Sequence, residues 1–257
     1  MKRLLALALL TPVIALAGTA FDGNWVTKLD SIKVSGKPDV FELNNGMFSC
    51  SSCAPSWKVT ADGTEQPVAG HAYADHVIVK VIDKSTVETT DKLAGKTMND
   101  AVMTVSADGS KLTGKFTNYY GDKPVTGTFS EKRVAAGPAG AHAISGSWMQ
   151  DSVADMSDAM RLSVIKSTDN GIQITWNGQS VDAKFDGKRY AWSNDPGKTM
   201  SSFKKISDTE IKEMDHRMGK ITDVMTWTVS ADGKSITEID WDKLHDTKTS
   251  MMLEKQP

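Results

Sequence analysis

The chain has few cysteines, few prolines and, beyond its first twenty residues, no long apolar run. Its 257 residues include two Cys and eight Pro, with 30 Lys and Arg against 32 Asp and Glu, a net charge of −2. Lys and Arg are scattered singly among acidic residues, which excludes the basic patch typical of nucleic-acid binding. Because no later apolar run reaches about 20 residues, we expect no transmembrane span.

The sequence also lacks the motifs that carry most enzyme chemistry. We find no nucleophile-elbow glycine pattern, no phosphate-cradling glycine loop and no calcium-loop spacing of acidic residues. We therefore expect a non-enzymatic protein without a cofactor or a metal site.

The first twenty residues have the organisation of a secretory signal peptide. Lys2 and Arg3 precede an apolar run over residues 4–16, and small residues follow, with Ala17 or Ala20 as the last residue before cleavage. This pattern predicts that residues 1–20 are removed and that the mature protein is periplasmic or secreted.

The remainder of the chain contains an internal repeat. The segment Val-Ser-Ala-Asp-Gly occurs at 105–109 and again at 229–233, and at this offset of 124 residues, 13 of 48 positions are identical between 62–109 and 186–233. Such self-similarity predicts two copies of one domain. We place them at 21–134 and 144–257, joined by a linker of small residues at 135–143.

Turn signals and alternating residues predict that both copies are all-β. Asn-Gly and Asp-Gly pairs recur along each copy, and between them apolar and polar residues alternate, most clearly over 225–230. We count roughly eight antiparallel strands per copy, which suits a closed barrel or a two-sheet sandwich.

The start of each copy resembles a lipocalin. Gly23-Asn24-Trp25 and Gly146-Ser147-Trp148 each place Gly-x-Trp on a first strand, as lipocalins do, where the indole closes one end of the barrel. Segments 50–55, 183–188 and 228–234 are similar to a family of secreted bacterial lipocalin-like proteins of unknown activity. The resemblance implies two homologous, antiparallel, lipocalin-like β-barrels in tandem, and it implies no chemistry.

The two cysteines, Cys50 and Cys53, are expected to form a disulfide, because the predicted compartment is oxidising. The alternative is a redox-active pair. That activity requires a helix N-terminus to lower a thiol pKa, whereas Pro55 and Trp57 indicate a loop and a strand.

A separate candidate site is a metal site at Met214, His216 and Met218. On an extended strand these residues would share one face and offer soft ligands to Cu(I). The aligned residues of the first copy are Thr90, Lys92 and Ala94, so this set does not belong to the shared scaffold.

The second copy concentrates residues that suit an adaptable apolar pocket. It holds nine of the thirteen Met and five of the seven Trp. We predict a cavity for a small apolar ligand, lined by some of Trp148, Trp176, Trp192, Met225 and Trp227. The alternative is a structural or protein-interaction module of the cell envelope in which both barrels are packed solid. Neither the ligand nor a protein partner is indicated by the sequence.

Overall fold

The computed structural model describes residues 19–257, which fold into two antiparallel, nearly closed, barrel-shaped sheets in tandem. Each sheet has ten strands rather than about eight, and the one helical segment in this part of the chain is the single turn α1, Asp158–Arg161. The prediction of an all-β chain with two barrels is confirmed. Residues 1–18 of the predicted signal peptide lie outside the described residues.

The first barrel consists of the strands β2 to β11 in the order β4-β3-β2-β11-β10-β9-β8-β7-β6-β5, so that β11 pairs with both β10 and β2, and β4 and β5 are the two edges. Their bounds are Asp39–Asn44, Met47–Cys50, Trp57–Thr60, Asp62–Pro67, His76–Val81, Thr86–Leu93, Lys96–Val105, Lys111–Asn118, Val125–Ala136 and Gly146–Met156.

The second barrel consists of β1 and of β12 to β20, with β1 between β12 and β20. Their bounds are Gly23–Gly36, Leu162–Thr168, Gly171–Trp176, Gln179–Lys184, Tyr190–Ala191, Met200–Lys205, Glu210–Arg217, Lys220–Val229, Ser235–Asp242 and Thr247–Lys255. A single bridge between Ser180 and Ser193 brings the two edges of this sheet together.

The two halves of the chain exchange their first strands. β1 belongs to the first half in sequence, yet it pairs with β12 from Gly23 to Val26 and with β20 as far as Gly36. In return β11 pairs with β10 and β2 of the first barrel. The sequence assigns 21–134 to one barrel and 144–257 to the other, and the structure corrects that assignment for the first strand of each half.

The segment 135–143 lies within the first barrel rather than between two domains. Its ends belong to the hairpin between β10 and β11, in which Ala136 lies opposite Gly146, so the predicted linker is a hairpin loop of the first barrel. His142 fixes the loop, since its backbone N–H donates to the Leu43 carbonyl and its ring bonds the Asp83 carbonyl.

The two tryptophans of the Gly-x-Trp segments occupy matching places in the two cores. Trp25 is fully buried in the second barrel and its indole N–H donates to the Phe21 carbonyl at 2.8 Å. Trp148 is fully buried in the first barrel and donates to the Ile144 carbonyl at 2.9 Å. The same four-residue indole-to-carbonyl bond therefore recurs in each barrel.

Cys50 and Cys53 form a disulfide with their Cα atoms 5.4 Å apart, as predicted. The bond lies where β3 ends, just before β4, so neither cysteine is at a helix N-terminus. Within residues 19–257, no helix has the length and apolar character needed to cross a membrane.

Candidate ligand-binding cavity

The second barrel contains a partly open cavity of about 340 Å³. Side chains alternate along the strands, so that Ile211, Glu213 and Asp215 of β17 point to the same side of the sheet. Large apolar side chains from several strands form most of the wall: Met156, Met160, Ile174, Trp176, Trp192, Met225, Trp227, Met251 and Leu253. Flat rings and thioethers give this wall an adaptable apolar surface.

Four acidic side chains line the cavity, and three of them, Glu213, Asp215 and Glu238, lie on strands of its wall. Glu213 is 1 % exposed, and its Oε1 atom has no hydrogen-bond partner among the described residues. Asp215 follows two residues later on β17, and Glu238 on β19 lies opposite Trp227. An unpaired, buried carboxylate is costly, so these groups shift their protonation instead.

The pKa values of these carboxyls reflect that cost. Burial raises the pKa of Glu213 well above its usual value, and repulsion from Asp215 adds to the rise. Burial raises the pKa of Glu238 to about 7, with a further contribution from the neighbouring Asp240. Burial also raises the pKa of Asp215, although Ser201 and Arg217 oppose that rise. Glu238 is therefore partly protonated near neutral pH, so its charge changes with small changes in pH.

Arg217 is the only Arg or Lys of the described residues that lines this cavity, and its charge is already shared. Its Nη2 atom lies 3.6 Å from Asp215 Oδ2, and its Nη1 atom lies 3.0 Å from Asp223 Oδ2. Its Nε–H donates to Thr199 Oγ1 at 2.9 Å. Glu213 and Glu238 are left without a cationic partner in the described part of the chain.

A polar relay orients one wall of the cavity. The indole N–H of Trp192 donates to Ser201 Oγ at 2.6 Å, and the fully buried Ser201 hydroxyl donates in turn to Asp215 Oδ1. The relay fixes the ring of Trp192 and one oxygen of Asp215. By contrast, the indole N–H of Trp227 finds no acceptor within residues 19–257, so a donor remains free at the wall.

The mouth of the cavity is covered by a residue of the first barrel. Tyr73 lies in the loop between β5 and β6, lines the second-barrel cavity and stacks on Tyr120 with ring centroids 4.5 Å apart. Its hydroxyl lies 3.3 Å from Thr199 Oγ1. The ring packs directly on Gly197, where a Cβ would come within 2.4 Å of it. The site is therefore assembled from both barrels.

A second pocket, of about 680 Å³, is lined by both barrels: Phe48 and Trp57 of the first barrel and Met218 and Leu244 of the second all line it. Phe48 stacks on Phe41 and on Trp57, with centroids 5.8 and 5.5 Å apart. Asp91 lines this pocket, and burial raises its pKa to about 6. This pocket is larger than the second-barrel cavity and carries fewer acidic groups.

The repeat allows a position-by-position comparison of the two interiors. At the offset of 124 residues Thr89 corresponds to Glu213. The strand pairing gives the same correspondence, because Thr89 lies opposite Ala101 and Glu213 lies opposite Met225, the residue that corresponds to Ala101. Glu238 corresponds to Gly114, onto which the ring of Phe129 packs so closely that a Cβ would lie 2.1 Å from it. The first barrel thus has a hydroxyl and a glycine where the second has its two carboxyls without a cationic partner.

Four of the five predicted lining residues meet at the second-barrel cavity, namely Trp176, Trp192, Met225 and Trp227. Trp148 lies in the other barrel because its strand is exchanged, and the guanidinium of Arg133 stacks 3.9 Å from its ring centroid. The structure therefore divides the predicted set between the two barrels.

Met214, His216 and Met218, the candidate Cu(I) ligands, do not come together at one site. Met218 is 64 % exposed at the turn before Gly219, whereas His216 is buried on β17. Within residues 19–257, no group of three or more His, Cys, Asp or Glu side chains is placed to hold a metal ion.

Sequence reasoning missed Glu213, Asp215, Glu238 and Tyr73. A signal for the two glutamates was present, because alternation places Glu213 on the face of Ile211 and Glu238 on the face of Ile236. Tyr73 had no such signal, since it reaches the cavity from a loop of the other barrel.

Comparison of the chain with models of protein families, with curated proteins and with solved structures finds no match. The fold and the cavity define a class, a double β-barrel protein with a partly open and partly acidic chamber. Function has to be inferred from that chamber.

Proposed function

We propose that the protein is a non-enzymatic binding protein that holds a small, largely apolar ligand in the cavity of the second barrel. The observation that supports this most is the cavity itself, about 340 Å³ of space between Trp176, Trp192 and Trp227. Pockets of this size, with mostly apolar walls and a few placed polar groups, are typical of small-molecule sites.

The cavity separates this proposal from its rival. A structural or interaction module with solid barrel cores would be filled by side chains to crystal-like density. The second barrel instead leaves about 340 Å³ of space, and a pocket of about 680 Å³ is lined by residues of both barrels. The space favours a binder over a purely structural module.

We propose a periplasmic or secreted location for this activity. The apolar run over residues 4–16 after Lys2 and Arg3 supports export, and the Cys50–Cys53 disulfide is compatible with an oxidising compartment. The Gly-x-Trp segments at Trp25 and Trp148 support membership of a lipocalin-like family, whose barrels enclose small ligands.

The proposal is tested by a substitution that fills the cavity with a larger side chain. Met251 lines the cavity, whereas the neighbouring Met252 is 37 % exposed on the outer face of the same strand. We expect the neutral fluorescent probe N-phenyl-1-naphthylamine to bind the native chain and to quench its tryptophans. Met251→Trp should weaken this binding at least tenfold, and Met252→Trp should leave it unchanged.

Native mass spectrometry of protein purified from its own source provides the second readout. A bound small molecule that is lost in Met251→Trp but retained in Met252→Trp would support the proposal. Absence of both a bound molecule and probe binding in the native chain would overturn it. Circular dichroism of the two variants shows whether the barrels stay folded.

A further inference from the structure

The charges of the second-barrel cavity are unbalanced. Its lining includes four carboxyl groups, those of Asp195, Glu213, Asp215 and Glu238, and one guanidinium, that of Arg217. Asp195 is satisfied by the backbone, since it accepts from the N–H of Thr199 at 2.6 Å and of Gly197 at 3.2 Å. Arg217 forms ion pairs with Asp215 and Asp223, and within the described residues it forms none with the two glutamates.

Glu213 is the group that points to a ligand. It is almost completely buried, it lines the cavity, and its Oε1 atom has no hydrogen-bond partner in the described part of the chain. A buried acceptor of this kind is usually satisfied in its working state. Glu238 lines the same cavity, so two carboxyls are available to one bound group.

We propose that the cavity binds an organic cation, an apolar body carrying a protonated amine that sits against Glu213 and Glu238. This inference rests on the proposed binding function and names its ligand class. The ammonium group would donate hydrogen bonds to the two carboxylates, which are the strong, charge-assisted kind. Its apolar body would lie along the rings of Trp176 and Trp227, whose faces also attract cations.

The fold itself does not require these carboxyls. The first barrel builds the same ladder with Thr89 in the place of Glu213 and Gly114 in the place of Glu238. A buried charge without a partner lowers stability, so its presence in one copy alone needs another reason. Recognition of a complementary charge supplies that reason.

Binding should be linked to protons. The titratable or charged groups around the two glutamates are Asp215 and Arg217 on β17, Asp223 on β18, Asp240 on β19, Asp195 in the loop before β16, and Tyr73 from the first barrel. Because burial raises the pKa of Glu238 to about 7 and raises the pKa of Glu213 well above its usual value, an ammonium must displace protons on binding. Affinity for an amine should therefore rise between pH 5.5 and pH 8.

A series of matched eight-carbon probes tests the ligand class by calorimetry on the full chain. At pH 8 we expect n-octylamine to bind at least tenfold tighter than 1-octanol, and octanoate to bind weakest. At pH 5.5 the advantage of the amine over the alcohol should shrink. Repeating the amine titration in two buffers of different ionisation enthalpy should show protons released.

Two sets of variants locate the effect. Glu213→Gln with Glu238→Gln should abolish the preference for the amine and leave octanol binding intact. Glu131→Gln is the control, because Glu131 is also buried with a raised pKa of about 7, but it lies on β10 of the first barrel. Its substitution should leave both titrations unchanged, and circular dichroism verifies that every variant is folded.

The outcomes separate the two proposals. If octanol binds as tightly as octylamine, or if the double variant keeps the preference for the amine, the cationic ligand class is wrong while cavity binding stands. If none of the three probes binds and N-phenyl-1-naphthylamine does not bind either, both proposals fail.

Discussion

Glu213 occupies a position where a β-barrel gains no stability from a carboxyl group. It is surrounded by the cavity wall and lies beside Asp215, so it is held protonated in the folded chain at a pH where the unfolded chain would ionise it. At Glu213 the folded state therefore keeps a proton above about pH 4.5 that the unfolded state loses. The contribution of Glu213 to stability should fall as pH rises from that value.

The first prediction concerns this pH dependence. Glu213→Gln removes the proton uptake but keeps the shape, so its free energy of unfolding should match that of the native chain near pH 4 and exceed it at pH 8 by about 1–2 kcal/mol. Urea unfolding at the two pH values measures this difference. Parallel pH profiles for the two proteins would show that Glu213 titrates like an exposed glutamate.

The second prediction concerns the contact between Tyr73 and Gly197 at the mouth of the cavity. Gly197→Ala places a Cβ within 2.4 Å of the Tyr73 ring, so the variant should lose about 1–3 kcal/mol of stability. In a Tyr73→Ala background the same substitution should cost almost nothing, because the ring is gone. Urea unfolding of the double-mutant cycle measures the coupling, and simple additivity would refute the contact.

At this scale the sequence predicted some residues and not others. Cys50 and Cys53 were predictable because only one pairing exists, and Trp176, Trp192, Met225 and Trp227 stood out by composition. Glu213 did not stand out, since a single charged residue on a strand is read as solvent-facing unless its apolar neighbours on the same face are compared.

The element that most shapes the molecule is β1, which leaves its own half of the chain. Its 14 residues pair with β12 over Gly23–Val26 and with β20 from Trp25 to Gly36, where the register with β20 shifts between Lys28 and Lys33. Alternation and turn residues predict that this strand exists but not which sheet it joins, because both copies present equivalent partners. The hairpin loop 135–143 gives no indication of the choice, since its small residues resemble those of a flexible linker.

Short strands account for the difference in strand number. β15 has two residues, and β3 and β4 have four each, all too short for a clear alternation. The turns between strands were easier to predict, since Asn45-Gly46 and Asn177-Gly178 adopt the positive φ angles that such pairs favour.

The third prediction follows from the exchange. A protease site inserted between the exposed residues Ala139 and Gly140 should be cut without separating the two fragments, because each fragment supplies one strand to the other barrel. The nicked protein should elute as one species in gel filtration and separate only in denaturant.

The control is a second site between Gly187 and Lys188, in the turn after β14, which interrupts only the second barrel. Release of two separately folded halves after cutting at Ala139 would contradict the strand exchange.

At the scale of the whole molecule, the two barrels share one pattern of strand pairing but differ in their interior side chains. The first barrel has Gly114 and the ring of Phe129 at the position of Glu238. The second barrel has carboxyls in its cavity, and Tyr73 of the first barrel lines the same cavity. The duplication was visible in the sequence, whereas this division of chemistry appears only when the two ladders are compared in space.

Each barrel therefore contributes to the other, through an exchanged strand and through Tyr73. Isolated halves would lack both contributions, so ligand binding by the second barrel should depend on the complete chain.

The most direct test of the account is a crystal structure of the full chain grown at pH 8 with n-octylamine. The account predicts elongated electron density inside the second barrel between Trp176 and Trp227, with its amine end within hydrogen-bond distance of Glu213 or Glu238. A second barrel packed solid by its own side chains, or octylamine bound only at the surface, would contradict it.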